Sequence, residues 1–285
     1  MIDMDIVTAL QYEFIRRAFI AGSFIALVCS ILGVLLVLRR LSLIGDGLAH
    51  VTFGSVAIAL LLRQHPAVVA IPIVMLSSLG ILKLMQKARL YGDAAIGIVS
   101  SIGIAAGILI AARSGGFNVD LFSFLFGNIL AISNAEVITS IALSIVVLAV
   151  IILFYNEHFS TTFDEEFARV SGINVQKINA LLVLLTGITV VLTMKVVGIM
   201  LTSALLILPA VTALQIAKSF KYTMLLSSLT GVASVIIGIY ASLVLNLPTG
   251  ATIVMVNFFF FVIAFLLRHV VQKKRRSIRP GLPEL

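Results

Sequence analysis

Long runs of residues without a charged side chain dominate this sequence. Residues 222–267 contain no Asp, Glu, Lys or Arg, and this run is long enough for two membrane helices of about 20 residues each. The Asn-Leu-Pro-Thr-Gly segment at residues 246–250 predicts the turn between them. Further charge-free runs occupy residues 18–38, 47–62, 64–82, 94–112, 137–156, 178–194 and 196–217. The predicted fold is an all-α, polytopic membrane helical bundle of nine transmembrane helices, or eight because two runs are short.

The composition excludes a water-soluble globule. Hydrophobic residues make up 61% of the 285 residues and charged residues 11%, against about 45–50% and about 25% in soluble domains. We therefore expect residues 1–285 to form a single transmembrane domain. No cleaved signal peptide is expected, because Asp3 and Asp5 stand where a signal peptide is positive. The net charge of +8 comes from Lys and Arg clusters between apolar runs, which indicates membrane topology and not nucleic-acid binding.

The basic clusters predict the direction of the spans. The tail at residues 268–285 contains Lys-Lys-Arg-Arg at 273–276 and is placed in the cytoplasm by the positive-inside rule. Nine spans then put the N-terminus outside and most basic residues on the cytoplasmic face. The Arg16-Arg17 pair falls outside in this arrangement. An eight-span chain with its N-terminus inside would remove that objection.

Asp46 and His50 stand at the start of the second predicted span, four residues apart. On a helix they share one face. A carboxylate and a neutral imidazole suit zinc or another first-row divalent cation, and both are costly beside lipid unless they line a cavity. The alternative is that Asp46 caps the helix and His50 is a hydrogen-bonded core residue. Two ligands are too few for a tetrahedral site, but two copies of the chain around a two-fold axis would supply four.

A cytoplasmic loop at residues 156–177 is predicted to contain a short surface helix. Acids at its start and Arg169 near its end complement the helix dipole, and Gly172 stops the helix. An apolar stripe of Phe163, Phe167 and Val170 needs cover. Docking of a cytoplasmic partner is favoured over binding to lipid headgroups, because consecutive acids disfavour an anionic membrane.

Two further segments could shape a transport path. Residues 196–212 contain hydroxyls, a glycine and a proline, so this span can be broken or kinked around water; close helix packing is the alternative. Residues 114–133 are amphipathic and could form a re-entrant or interfacial element at the external mouth, or an aromatic belt. The candidate path residues are Asp120, Thr202, Ser203, Pro209 and Thr212.

Catalytic motifs are absent from the sequence. No Gly-Lys dipeptide occurs, so the chain has no G-x-x-x-x-G-K-[ST] phosphate-binding loop. The H-E-x-x-H and G-x-S-x-G motifs are also missing. We therefore expect no enzyme activity in this chain and no permanently bound cofactor.

Residues 39–50, residues 120–133, the acidic loop and residues 197–213 together resemble the permease subunit of the zinc/manganese/iron ABC importer family. The Gly-Asp-x-Leu-Ala-His stretch ending at His50 is the most specific part, and the resemblance runs from about Phe14 to Arg268. It implies a multi-pass protein of the plasma or inner membrane. It also implies a permease homodimer, two cytoplasmic ATP-binding subunits that hydrolyse ATP, and an extracellular or periplasmic metal-binding protein.

The resemblance also implies roles for particular residues. Asp46 and His50 correspond to residues implicated in metal passage. The ATPase-coupling helix of the family corresponds to a segment that includes Phe163, Asp164, Glu165, Glu166, Ala168, Arg169 and Gly172. The Val51-Thr52 that follows His50 is similar to zinc-directed members, so zinc is expected as the cargo, with manganese or iron next. An ATP-independent secondary metal transporter or channel is the alternative function.

Overall fold

The computed structural model of the chain describes residues 12–87, 91–113, 119–128, 132–194 and 196–278. Helices α1 to α6 are Glu13–Leu38, Ile44–Leu61, Pro66–Lys87, Gly92–Arg113, Val119–Phe126 and Asn134–Leu153. Helices α7 to α9 are Tyr155–Phe163, Glu165–Val170 and Val175–Thr193. A 3-10 turn at Ile199–Leu201 then precedes α10 to α12, which are Thr202–Ile216, Phe220–Leu245 and Thr249–Ile278.

Nine helical segments in the described ranges are long and apolar enough to cross a membrane. They are α1 to α4, α6, α9, α11, α12, and α10 together with its leading 3-10 turn. This confirms the nine predicted spans as helices and the all-α fold, and the described ranges contain no strand. The turn predicted at residues 246–250 begins at Asn246, which caps α11 in the left-handed conformation with φ of 54°.

Helix α2 lies at the centre of the bundle, packed against α4, α3 and α9. Its contact with α4 is close because glycines face each other: a Cβ atom on Gly54 would lie 2.7 Å from the carbonyl oxygen of Gly103. A Cβ on Gly103 would lie 2.8 Å from the Cα of Val51. Small residues of this kind let membrane helices approach backbone to backbone. Helix α2 is therefore held closely against α4 at Val51 and Gly54, directly after His50.

The break before α10 is buried against the short helix α5. After α9 the chain turns through Gly198 at φ of 95°, and Gly127, which follows α5, has a φ of 78°. A Cβ on Gly198 would lie 2.5 Å from the amide nitrogen of Gly127. A Cβ on Gly250, at the start of α12, would lie 1.9 Å from the carbonyl oxygen of Val197. Irregular backbone is tolerated at this depth because it is covered by protein.

Candidate functional site

Asp46 and His50 lie one turn apart on the first half of α2. The Nε2 atom of His50 is 3.5 Å from Oδ2 of Asp46. The Asp46 side chain is 48% exposed and that of His50 is 19% exposed, although α2 is otherwise one of the most enclosed spans. The spacing predicted from the sequence therefore brings an oxygen and a nitrogen donor onto one partly open face.

Neither structural alternative for this pair fits the geometry. The residue that precedes α2 is Leu43, and it makes no side-chain cap; Asp46 lies inside the first turn and is not the N-cap. The Nδ1 atom of His50 is buried and has no hydrogen-bond partner. Buried polar atoms normally have one. The pair thus keeps donor atoms that the rest of the fold does not use, although its role in metal passage stays a prediction.

The pair offers two potential ligands, too few to complete a metal cage. Among the described residues, no group of three or more His, Cys, Asp or Glu side chains could hold a metal ion. A carboxylate and an imidazole are ligands that first-row divalent ions accept. Any further ligands would come from water, from another molecule or from residues outside the described part of the chain.

The predicted surface helix is two helices in the structure. Asp164 separates α7 from α8, and its side chain accepts a hydrogen bond of 2.8 Å from the amide of Phe167. An Asp at an N-cap satisfies one of the free amides of a helix and starts a new helix there. Phe163 therefore ends α7 and is not part of the helix that carries Phe167. The loop expected from residue 156 is correspondingly helical, and α9 already begins at Val175.

The apolar side chains of this segment are exposed as predicted. Phe163 is 61% exposed, Phe167 64% and Val170 89%. Ala168 is buried on the opposite side of α8, and Gly172 ends the segment with φ of 86° and free space around its Cα. The acids Glu165 and Glu166 stand in the first turn of α8, and Glu165 lies 3.4 Å from Arg169. The coupling role of these residues stays a prediction.

Arg39 is a functional candidate that sequence reasoning missed. It follows α1 directly, and its guanidinium donates hydrogen bonds to Thr162 Oγ1 at 3.0 Å and to Asn179 Oδ1 at 2.5 Å. It also donates to the Thr161 hydroxyl and to the carbonyl oxygen of His158. These contacts join α1 to α7 and α9. Burial lowers the pKa of Arg39 to about 10, while the charge of Glu165 acts in the opposite direction.

His158 lies beside Arg39. The loop predicted at residues 156–177 would include this histidine, but in the structure His158 is fully buried inside α7. Both of its ring nitrogens lack hydrogen-bond partners. Burial, and secondarily the positive charge of Arg39, lowers its pKa to about 4. His158 is therefore neutral at physiological pH.

The candidate path residues of α10 are mostly enclosed. Thr202 is buried, shares a hydrogen bond of 2.6 Å with Thr193 and donates one to the carbonyl of Gly198. Thr212 donates to the Leu208 carbonyl, and Pro209 is buried inside the helix. Ser203 is partly exposed. Asp120 lies on α5, and its side chain is outside the described part of the chain. These placements leave the path assignments as predictions.

The family model described as the ABC 3 transport family matches residues 11–268. The chain belongs to this family. This ABC 3 family protein is 35% identical over 257 residues to the manganese transport system membrane protein MntC of Listeria monocytogenes, covering 90% of this chain and 91% of that protein. It is 33% identical over 255 residues to a Haemophilus influenzae protein named "Probable iron transport system membrane protein", covering 90% and 94%.

A solved structure supports the same fold. The ABC 3 family protein superposes on a chain of PsaBC from Streptococcus pneumoniae, in complex with Fab, with a TM-score of 0.82 and 32% identity. The match covers 91% of this chain and 94% of that chain. The nine apolar helices and these membrane-protein relatives establish a multi-pass membrane protein.

Proposed function

We propose that this chain is the permease subunit of an ATP-driven importer of divalent first-row metal ions. The observation that carries the proposal is the Asp46–His50 pair: two donor atoms 3.5 Å apart on an otherwise enclosed membrane helix, in a chain of the ABC 3 transport family. Ionisable groups inside a membrane bundle are costly and mark ion paths by default. The family membership gives the ATP-driven class its priority over a channel or secondary transporter.

Two copies of the chain would complete the metal site. A two-fold axis beside α2 would bring two carboxylates and two imidazoles together, which is a four-ligand set for a divalent ion. Each pair remains partly open, so the ion can leave as well as bind, and transport requires both. A delivery protein outside and two ATP-binding subunits in the cytoplasm complete the proposed assembly.

The exposed apolar side chains of α7 and α8 are the proposed docking surface for the ATP-binding subunits. Phe163 packs against Phe159 and Phe220, with ring centroids 4.9 and 5.8 Å apart, so a force on this surface is transmitted to α11. Arg39 links the same segment to α1. From Arg39 only a short turn leads to α2 and Asp46. ATP-driven movement of the docking surface would thus reach the metal site through Arg39.

Manganese is the ion that we place first. The relatives described above are named for manganese and iron transport, whereas the expectation of zinc rested on the residues after His50. Asp and His ligands serve these ions alike, and intrinsic affinity does not decide biological choice. The chemistry of the pair is therefore compatible with all three.

Uptake of radiolabelled manganese, zinc and iron tests the function directly. Cells should carry this chain together with its proposed ATP-binding subunit and metal-binding protein, and manganese uptake should exceed uptake in cells without the chain. Uptake that persists when the ATPase cannot hydrolyse ATP would favour the secondary transporter or channel. Uptake of zinc alone would restore the original expectation about the cargo.

Charge reversal on α8 tests the docking surface. Glu165→Lys together with Glu166→Lys leaves the buried face of α8 unchanged, because Ala168 is the residue that faces inward. We expect ATP hydrolysis to lose its stimulation by metal, by about tenfold or more. Lys218→Ala changes an exposed charge near the start of α11 and serves as the control. Unchanged metal-stimulated hydrolysis in the double variant would contradict the docking role.

A further inference from the structure

A large apolar cavity opens on one side of the bundle between α2, α3 and α4. Its volume is about 620 Å³, and its walls include Ile58 of α2, Ile73 and Gly80 of α3, and Ile102 of α4. The space beside Gly80 is empty: a Cβ atom there would meet no heavy atom within 4 Å. The cavity follows α3 from Ile73 to Lys87, about 20 Å at 1.5 Å per residue. That length covers one leaflet of a hydrocarbon core about 30 Å thick.

Two lysines stand at one end of this cavity. Lys83 and Lys87 both line it and both are exposed. They are four residues apart, so they project from one face of α3. Neither forms a salt bridge with any residue in the described ranges. Their positive charges therefore have no acid at salt-bridge distance in the described part of the chain.

The lysines lie at the end of the bundle where phospholipid headgroups of one leaflet are found. Gly92 at the start of α4 lies near Met85 of α3 and near Leu41, two residues after Arg39. The basic end of the cavity is thus on the same side as Arg39, the side assigned to the cytoplasm. Basic pockets between membrane helices on that side bind anionic lipid headgroups.

A second apolar cavity in the molecule shows what the lysines add. It lies between α10, α11 and α12, has a volume of about 330 Å³, and is lined by residues such as Thr212, Leu229 and Ile263. Among the described residues, no charged side chain lines it. An apolar cavity of that kind has nothing that selects a headgroup, whereas the α2–α4 cavity combines an apolar trough with two cations.

We infer that the α2–α4 cavity is a binding site for an anionic phospholipid, with an acyl chain in the apolar trough and the phosphate at Lys83 and Lys87. A lysine near a membrane surface favours an anionic lipid by about fivefold, so the two together predict a preference of fivefold or more over a zwitterionic lipid. The site borders the α2–α4 contact, where Gly54 and Gly103 both line the cavity. The bound lipid therefore touches the helix that carries Asp46 and His50. The inference does not depend on which ion is transported.

Tryptophan fluorescence tests this site without background, because the chain contains no Trp. Ile102→Trp places a reporter at the cavity, where the native side chain is 64% exposed. Leu76→Trp places a matched reporter outside it, on a side chain 71% exposed. The two positions lie at about the same depth, each roughly 15 Å from the lysine end. The full-length variants are reconstituted in vesicles with brominated phosphatidylglycerol or brominated phosphatidylcholine, which quench tryptophan on contact.

We expect the Ile102→Trp reporter to prefer phosphatidylglycerol by about fivefold or more, and the Leu76→Trp reporter to show a ratio near one. Adding Lys83→Ala and Lys87→Ala should bring the Ile102→Trp ratio to near one, while adding Lys218→Ala should not. Gly80→Phe, whose Cβ atom would meet no heavy atom within 4 Å and whose ring is intended to fill the trough, should also remove the preference. A ratio near one at the cavity with both lysines present would overturn the inference. Protection of the cavity reporter from both lipids would also overturn it and would mean that protein, such as a second copy of the chain, covers this face.

Discussion

Arg39 and the Asp46–His50 pair lie only a few residues apart, but they differ in how far their polar atoms are hydrogen-bonded. The guanidinium of Arg39 donates to Thr161, Thr162, Asn179 and the His158 carbonyl. His50 instead keeps a buried nitrogen without a partner, and Asp46 keeps a half-exposed carboxylate. A network with its bonds made holds helices together, whereas a buried atom without a bond costs free energy that something must offset. We therefore interpret Arg39 as a structural connection between helices, and Asp46 and His50 as a site that retains unused donor atoms.

The largest effect should come from the open pair. Asp46→Ala or His50→Ala removes a proposed direct metal ligand, and even indirect partners of a ligand contribute 10- to 100-fold to metal affinity. We expect metal uptake to fall by about 100-fold or more, with assembly with the ATP-binding subunits unchanged. Uptake of radiolabelled metal and co-purification of the subunits measure the two quantities.

His269→Ala is the matched control for His50→Ala. His269 is exposed near the end of α12, where its ring contacts Phe265 at 4.8 Å, so its loss should leave uptake unchanged. If His50→Ala and His269→Ala behaved alike, the pair would be no more functional than an ordinary surface histidine. Normal uptake by both the Asp46 and His50 variants would remove the site from the proposal.

A smaller effect should come from substituting Arg39, whose guanidinium forms the hydrogen-bond network between α1, α7 and α9. Arg39→Ala removes several charge-assisted hydrogen bonds worth about 1.5–3 kcal/mol each, offset by relief from burying the charge, so we expect a net loss of about 2 kcal/mol in unfolding free energy. Less metal should also be taken up per ATP hydrolysed, because α7 is no longer tied to α1. Arg39→Lys should restore little, since an ammonium lacks the guanidinium fork.

Arg40→Asn controls for the neighbouring charge. Arg40 is exposed and has a φ of 58°, a conformation that Asn tolerates. The Arg40→Asn substitution should change neither the free energy of unfolding nor the amount of metal taken up per ATP hydrolysed. If the Arg39→Ala protein had normal stability and normal metal uptake per ATP hydrolysed, the contacts of Arg39 would have no role in coupling α7 to α1.

The smallest effect concerns His158 and pH. Its pKa of about 4 in the folded protein lies below the 6.5 of an unperturbed histidine, so below about pH 6.5 the unfolded chain binds a proton that the folded chain refuses. Stability should therefore decline from about pH 6.5 to about pH 4, by at most about 1.4 kcal/mol per pH unit from this group. His158→Leu should make the unfolding midpoint less dependent on pH over that range, whereas His269→Leu should leave this pH dependence unchanged. An equal slope in all three proteins would assign the pH dependence to other groups.

The spans and the open pair could be read from the sequence because both are local patterns. A membrane helix needs about 20 residues without charge, and the runs report this directly. Asp46 and His50 are one turn apart, so their proximity follows from helix geometry alone. The break at Asp164 was missed because two short helices with one shared apolar stripe give the same spacing as a single helix.

The hydrogen-bond network of Arg39 could not be predicted, because the residues that Arg39 contacts are distant from it in the sequence. Arg39 meets Thr162 across 123 positions and Asn179 across 140, and neither partner carries a charge that would mark it as a counterpart. His158 was misplaced because Asn156 and Glu157 beside it suggest a solvated loop. It is buried because its helix also carries Tyr155 and Phe159, which pack on Phe220 at 5.6 and 5.3 Å.

Cys29 is the one thiol of the chain, and it is fully enclosed in α1. Labelling reagents that require contact with a thiol will not reach it in the folded protein. Cysteines introduced at exposed positions such as Phe167 and Ile102 can therefore carry paired spin labels in an otherwise native chain. Distances between such labels, measured through the ATP cycle, would follow α8 and α4 as they move.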